Sequence, residues 1–158
     1  MTDWKQVLDS LLEESPYEKP LITSPAFETL GLPMLKQWEP GRVYAEWSFD
    51  KRMANSRGEV YGGFYAALAD TLSAIAAMTL LKPDEIVKTS DLRVSFFRPM
   101  KQGVVQGEAS VINRSRSSVH VEVVFNNTED KLLAKASATH QIVKADAHRN
   151  SPPEAEEQ

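Results

Sequence analysis

Hydrophobic and polar positions follow three different rhythms along this chain, and each change of rhythm marks a new element. Trp4, Val7, Leu8, Leu11 and Leu12 recur at helical spacing with Asp9, Ser10, Glu13 and Glu14 opposite them, so an amphipathic helix opens the sequence. Pro16 and Pro20 end it. A short helical turn is expected over Pro25–Leu30, closed by Gly31. The run Glu39-Pro40-Gly41-Arg42 has the Pro-Gly chemistry of a type II turn and predicts a hairpin. Its second arm alternates Val43, Ala45, Trp47 and Phe49 against Arg42, Tyr44, Glu46 and Ser48, the pattern of a half-buried strand. Residues 51–58 are polar and read as a functional loop or linker.

From Gly62 to about Lys82 the rhythm becomes that of a helix apolar on nearly all sides, rich in Ala and carrying Asp70 as its one charge before Lys82. The run is close to the length of a membrane span. A carboxylate at its centre, with Thr71, Ser73 and Thr79, is costly in lipid, so a helix buried in the core of a soluble protein is the better reading. Strand rhythm follows. Leu92, Val94 and Phe96 alternate with Asp91, Arg93 and Ser95; Val105, Gly107, Ala109 and Val111 with Gln106, Glu108 and Ser110. Val119, Val121, Val123 and Phe125 form a third set, and Leu132, Ala134, Ala136 and Ala138 a fourth. Four strands in series predict an antiparallel meander. Alanines on both the last strand and the helix allow close approach, which suits a curved sheet wrapped around one helix in an α+β fold.

Composition narrows the chemistry. A chain of 158 residues makes about one domain. It has no cysteine, which removes disulfides, thiolate zinc sites and Cys nucleophiles. A net charge of −4 supplies no cationic field for nucleic acid. The first residues lack the basic-then-apolar run of a signal peptide, so a cytoplasmic location is expected. Phosphate-binding glycine loops, dinucleotide fingerprints and Gly-x-Ser-x-Gly elbows are absent. His120, His140 and His148 lie apart and offer no metal-ligand spacing; the two strand histidines are expected at the surface or rim. No metal and no cofactor is expected. From about Ala145 the chain is acidic, holds Pro152-Pro153 and no aromatic residue, and reads as disordered.

Two features could carry chemistry. Asp70 sits among apolar neighbours, so its carboxylate is either satisfied by Ser73, Thr71 or the backbone, or poised for a reaction. Gly62-Gly63 stands where the loop meets the helix; it either turns the chain or lets another molecule reach free helix N–H groups suited to an oxyanion. Eight residues of helix put Gly62 about 12 Å from Asp70, too far for both to act on one small group. If both act, each site combines Gly62 of one chain with Asp70 of another in a two-fold dimer.

The stretch Asn55-Ser56-Arg57-Gly58-Glu59-Val60-Tyr61-Gly62-Gly63, followed seven residues later by Asp70, resembles the motif of the PaaI-like hotdog thioesterases. The resemblance continues through Thr89 to Pro99 and the later strands to about Val143. It implies a hotdog fold over residues 33–144, with 1–32 as a helical extension and 145–158 as a tail. It also implies homodimers, often paired into tetramers, that hydrolyse acyl-coenzyme A without a cofactor, nucleic acid or membrane partner. By the same resemblance Asp70 acts as general base or nucleophile, and the Gly62 or Gly63 N–H binds the thioester oxygen. Asn55 orients the thioester or water, and Thr89 assists the water.

Arg57, Arg98, Arg114 and Arg116 are candidate cations for the anionic coenzyme. Tyr61 stands where the family usually has His; its hydroxyl donates a hydrogen bond but shuttles protons poorly at neutral pH, and it can wall the acyl group. Two other readings compete with hydrolysis of small, aromatic or medium-chain acyl groups: a non-catalytic acyl-CoA binder, and a hydratase or dehydratase of acyl thioesters.

Overall fold

In the structure, a computed structural model that describes residues 1–145, the Ala-rich stretch forms the long helix α3, Gly62–Met78. It ends about four residues sooner than the apolar run suggests. The Thr79 N–H is shared between the carbonyls of Ile75 and Ala76, and its hydroxyl donates to the Ala76 carbonyl (2.7 Å) while accepting the Gly41 N–H (2.6 Å). The chain then turns, and the Lys82 N–H is taken by the Glu85 carboxylate (2.9 Å). Among the described residues no helix is long and apolar enough to cross a membrane.

Around α3 curves one antiparallel sheet: β1 Leu35–Glu39, β2 Arg42–Ser48, β3 Glu85–Phe96, β4 Val104–Arg114, β5 Ser118–Asn126 and β6 Leu132–Lys144. The hairpin between β1 and β2 turns at Gly41, whose φ of +81° is the conformation a type II turn demands. Val119, Val121, Val123 and Phe125 are at most 1% exposed and face Phe64, Tyr65, Leu68 and Leu72 of α3 across the core. Gly107 has its own part in this packing: a Cβ there would lie 2.8 Å from Leu72 Cδ1 and 3.1 Å from the Phe125 ring.

The expected meander is only partly realised. The spatial order is β1-β2-β4-β5-β6-β3, so β4, β5 and β6 meander but β3 crosses to the far side and pairs with β6. Size explains the choice. Leu92, Val94 and Phe96 lie opposite Ala138, Ala136 and Ala134, and large residues fit against a row of small ones. The outer edge of β3 has no neighbouring strand among the described residues.

The N-terminal segment carries α1, Trp4–Ser10, capped by the Asp3 carboxylate, and α2, Pro25–Leu30, capped by Ser24 and closed by Gly31 at φ +61°. It shares the core of the sheet: Leu8 and Leu11 are buried in the same cluster as Leu35 and Val43, and Leu35 exchanges backbone hydrogen bonds with Leu11 and Glu13. The acidic tail expected to be disordered lies, beyond Ala145, outside the described residues, as does His148.

Candidate active site

Asp70 lies half-buried in the middle of α3, and what holds its side chain comes from the sheet. The hydroxyl of Thr89 donates to Asp70 Oδ1 at 2.8 Å. A bulge in β3 aims that hydroxyl: the register with β6 slips between Thr89 and Asp91, leaving Ser90 as the extra residue, with its own hydroxyl on the Thr139 carbonyl (3.0 Å). Before the bulge odd-numbered residues face the helix and after it even-numbered ones do. Val87 and Thr89 therefore share a face with Leu92 and Val94.

Behind Thr89 stands His140, its register partner on β6 and fully buried. Its Nδ1 is 3.3 Å from Thr89 Oγ1, and its Nε2 is 2.9 Å from the hydroxyl of Ser73, which in turn reaches the Asp70 carbonyl at 3.1 Å. The expectation that both strand histidines sit at the rim fails for this one. His140 continues by two the inward series Ala134, Ala136, Ala138, and that parity was the signal in the sequence. His120, on the opposite parity, is exposed and bonded to Thr139.

The ring closes on itself, and its protons can be counted. Four contacts link Asp70, Thr89, His140 and Ser73. Two hydroxyls and a neutral imidazole supply three protons, so one contact has none; an imidazolium supplies the fourth. Burial nevertheless pushes the His140 pKa below the ordinary imidazole value, with the Asp70 charge pulling the other way. With Thr89 donating to Asp70 Oδ1 and Ser73 to the Asp70 carbonyl, the neutral ring has one proton for two contacts, on Nδ1 toward Thr89 or on Nε2 toward Ser73.

At the N-terminus of α3 the amides of Gly62 and Gly63 have no acceptor among the described residues, no side chain caps the helix, and its first turn holds no acid. Both glycines allow rings to close over the backbone. A Cβ on Gly62 would sit 3.2 Å from Phe96, and one on Gly63 would strike the Tyr61 ring. Tyr61 is the N-cap residue and is 59% exposed.

The loop before it is built by Asn55, whose Oδ1 accepts the N–H groups of Arg57 (2.9 Å) and Glu59 (3.1 Å). Asn55 thus spends its acceptor on the loop and faces Glu59 with its amide (3.4 Å). Asn55, Arg57, Gly62, Phe96 and Arg98 border one cavity of about 430 Å³. Arg57 pairs with Glu59 (2.9 Å), holding that carboxyl below its usual value. Arg98 makes no ion pair among the described residues; nor does Lys101, a cation beside Glu59 that the sequence reading overlooked.

Arg114 and Arg116 do not join this group. Arg114 sits at the other end of the sheet and bonds Glu85 Oε2 at 2.7 Å, where Glu85 is 5% exposed. That carboxyl is held low by the Lys82 N–H and by the guanidinium. Arg114 thus spends its guanidinium on Glu85 and lies apart from the cavity that Arg57 and Arg98 border. Arg116, in the turn after it, is separated from Arg98 by the length of β3, roughly 35 Å along the strand.

On the other flank of Asp70 lies a groove of about 390 Å³ between α3 and the N-terminal segment. Ala67, Ala74 and Met78 line one wall, and Ile22, Phe27 and Leu30 the other. Among the described residues Asp70 is the only ionisable one that lines it.

Comparison with known proteins places these groups in context. The family model of the thioesterase superfamily matches residues 57–134. The proofreading thioesterase EntH of Klebsiella pneumoniae is 33% identical over 86 residues, covering 54% of this chain and 63% of EntH. The 1,4-dihydroxy-2-naphthoyl-CoA hydrolase of Listeria monocytogenes is 24% identical over 117 residues, 74% of this chain and 94% of that protein. Among solved structures, the thioesterase HI1161 of Haemophilus influenzae superposes with a TM-score of 0.74 at 23% identity, covering 89% of this chain and 92% of its own, and shares the hotdog fold.

Proposed function

This chain belongs to the thioesterase superfamily, and from that premise we propose that it hydrolyses acyl-coenzyme A at two equivalent sites of a homodimer. One observation carries the reading. A single helix holds a hydrogen-bonded acid at its middle and two unpartnered amides at its start, about 12 Å apart. Such groups meet on one thioester only when two copies lie antiparallel. The open edge of β3 supports this arrangement: twelve residues long, with Phe96 and Phe97 more than half exposed at its end, it is the kind of edge that a two-fold partner covers.

In this dimer the thioester carbonyl accepts the Gly62 or Gly63 N–H of one copy. Attack turns that oxygen into an oxyanion, and one preorganised donor is worth about 2.7–4 kcal/mol. Asp70 of the other copy takes the proton of the attacking water, or attacks directly and is then released by water. Thr89 fixes the carboxylate through Oδ1 and leaves Oδ2 for the reaction, and His140 holds Thr89 in turn. Collapse of the tetrahedral adduct expels the coenzyme as its thiolate, which takes up a proton. Arg57 and Arg98 at the cavity, with Lys101 beside Glu59, supply positive charge for the phosphates of the coenzyme. Tyr61, exposed at the helix start with its ring over Gly63, stands beside the two donor amides.

The test is release of free thiol from a panel of acyl-CoAs by the wild type, Asp70→Asn and Asp70→Ala. Release by the wild type, reduced at least about a hundredfold in both variants with the fold intact, is the expected result. Tight binding without release would identify a non-catalytic binder, and water addition to an enoyl-CoA would identify a hydratase.

A further inference from the structure

The groove beside Asp70 bears on which acyl group this site takes. Along α3 it follows one stripe, Ala67, Asp70, Thr71, Ala74, Ile75 and Met78, at helical spacing. Opposite stands α2, a six-residue helix whose ends are capped locally by Ser24 and Gly31 but which buries none of its residues. A helix so short has no stability of its own and persists through what packs against it. Here Leu30 reaches the edge of the core, Phe27 is half-buried, and both border the gap in front of the α3 stripe, into which Ile22, 39% exposed, leads. The walls are mostly apolar, with Thr71 beside the carboxylate and Thr23 and Ser24 on the outer wall, and the space runs past the carboxylate assigned to the chemistry toward Met78.

We infer that the groove between α2 and α3 is the acyl subsite and that it selects unbranched aliphatic chains of medium length. This inference rests on the thioesterase reading above. The stripe from Asp70 to Met78 is eight residues, about 12 Å, long. An extended alkyl chain built from bonds of about 1.5 Å advances roughly 1.25 Å per carbon, so about eight to ten carbons fill that length. Beyond Thr71 the α3 wall offers only Ala74, Ile75 and Met78, with no polar side chain to meet a ring hydroxyl. An aliphatic tail therefore suits the groove better than a hydroxylated aromatic acid does. The N-terminal segment, which shares the core of the sheet through α1, thereby acquires a role in α2 as the outer wall of the substrate site.

The experiment measures kcat/KM on coenzyme A thioesters from acetyl to palmitoyl, with benzoyl included, for the wild type, Phe27→Ala and Ala74→Phe. Burial of each methylene should raise kcat/KM about fourfold until the groove is full, with the maximum near octanoyl to decanoyl. Ala74→Phe plugs the stripe one helical turn beyond Asp70 and should lower the decanoyl-to-acetyl ratio at least tenfold. Phe27→Ala, on the half-buried outer wall and checked for an unchanged Tm, should lower the same ratio several-fold. A flat length profile, a benzoyl preference, or ratios unchanged in both variants would overturn the inference, and filling of the groove by a partner protomer's side chains would give that last result. Decanoate binding separates this outcome from a failure of the thioesterase reading. If no thioester is cleaved but decanoate raises the wild-type Tm and not that of Ala74→Phe, the subsite stands and the hydrolysis falls. If decanoate has no effect either, the subsite falls too.

Discussion

Replacing His140 by Asn tests the ring behind Asp70 through its protons. The Asn amide reaches the position of imidazole Nδ1, so it can still donate to Thr89, but it cannot reach Ser73 and does not titrate. At pH 7.5 the loss of the Ser73 contact and of some packing should cost about 1–2 kcal/mol. The pH dependence is the sharper quantity. His140 has a folded pKa below the 6.5 of the free side chain because burial disfavours its charge. The unfolded chain therefore binds the proton first, and wild-type stability falls as pH drops through 6.5. Between pH 7.5 and 5.5 one such group removes up to about 1.4 kcal/mol, the full amount if the folded pKa lies well under 5.5. Glu46, Glu59 and Glu85, held low in the fold, lose their contributions only as pH falls below 4.5, outside this window.

Urea unfolding followed by tryptophan fluorescence at fixed protein concentration reads the effect, because the chain has three tryptophans. The gap between wild type and His140→Asn should narrow by up to about 1.4 kcal/mol on acidification. A gap constant across that range would refute the placement of a neutral, buried imidazole in this ring. In the thiol-release assay the same variant should lower kcat more than it changes KM, since Thr89 orients the acid rather than the substrate.

Two further substitutions separate structural from functional residues. Gly107→Ala would set a methyl group 2.8 Å from Leu72 Cδ1 in the core and should cost about 1–3 kcal/mol of stability by chemical denaturation. Arg114→Ala leaves Glu85 with only the Lys82 N–H and should cost about 1–3 kcal/mol without changing KM for a coenzyme A thioester; Arg98→Ala should raise that KM several-fold, less so in high salt.

The sequence by itself determined the local elements of this protein. Periodicity, Pro-Gly chemistry and caps act within a few residues, and they located α1, α2, the hairpin at Gly41, the long helix and the strands after it. The Gly62-Gly63 pair and Asp70 were legible for the same reason, as departures from the pattern around them. Tertiary structure decided which strand β3 pairs with, because the row of alanines it packs on arrives some forty residues later. It decided the partners of Asp70 as well: Thr89 lies 19 residues away and His140 a further 51. The bulge that joins them left only a trace, the shift of inward positions from odd at Val87 to even at Leu92. Arg114 looked free in sequence because Glu85, 29 residues upstream, gave no sign of facing it. The groove, too, exists only where two helices from distant segments fail to close on each other. Local patterns are fixed by backbone geometry over one or two turns, whereas partners, cavities and proton networks depend on which distant surfaces minimise exposed apolar area together.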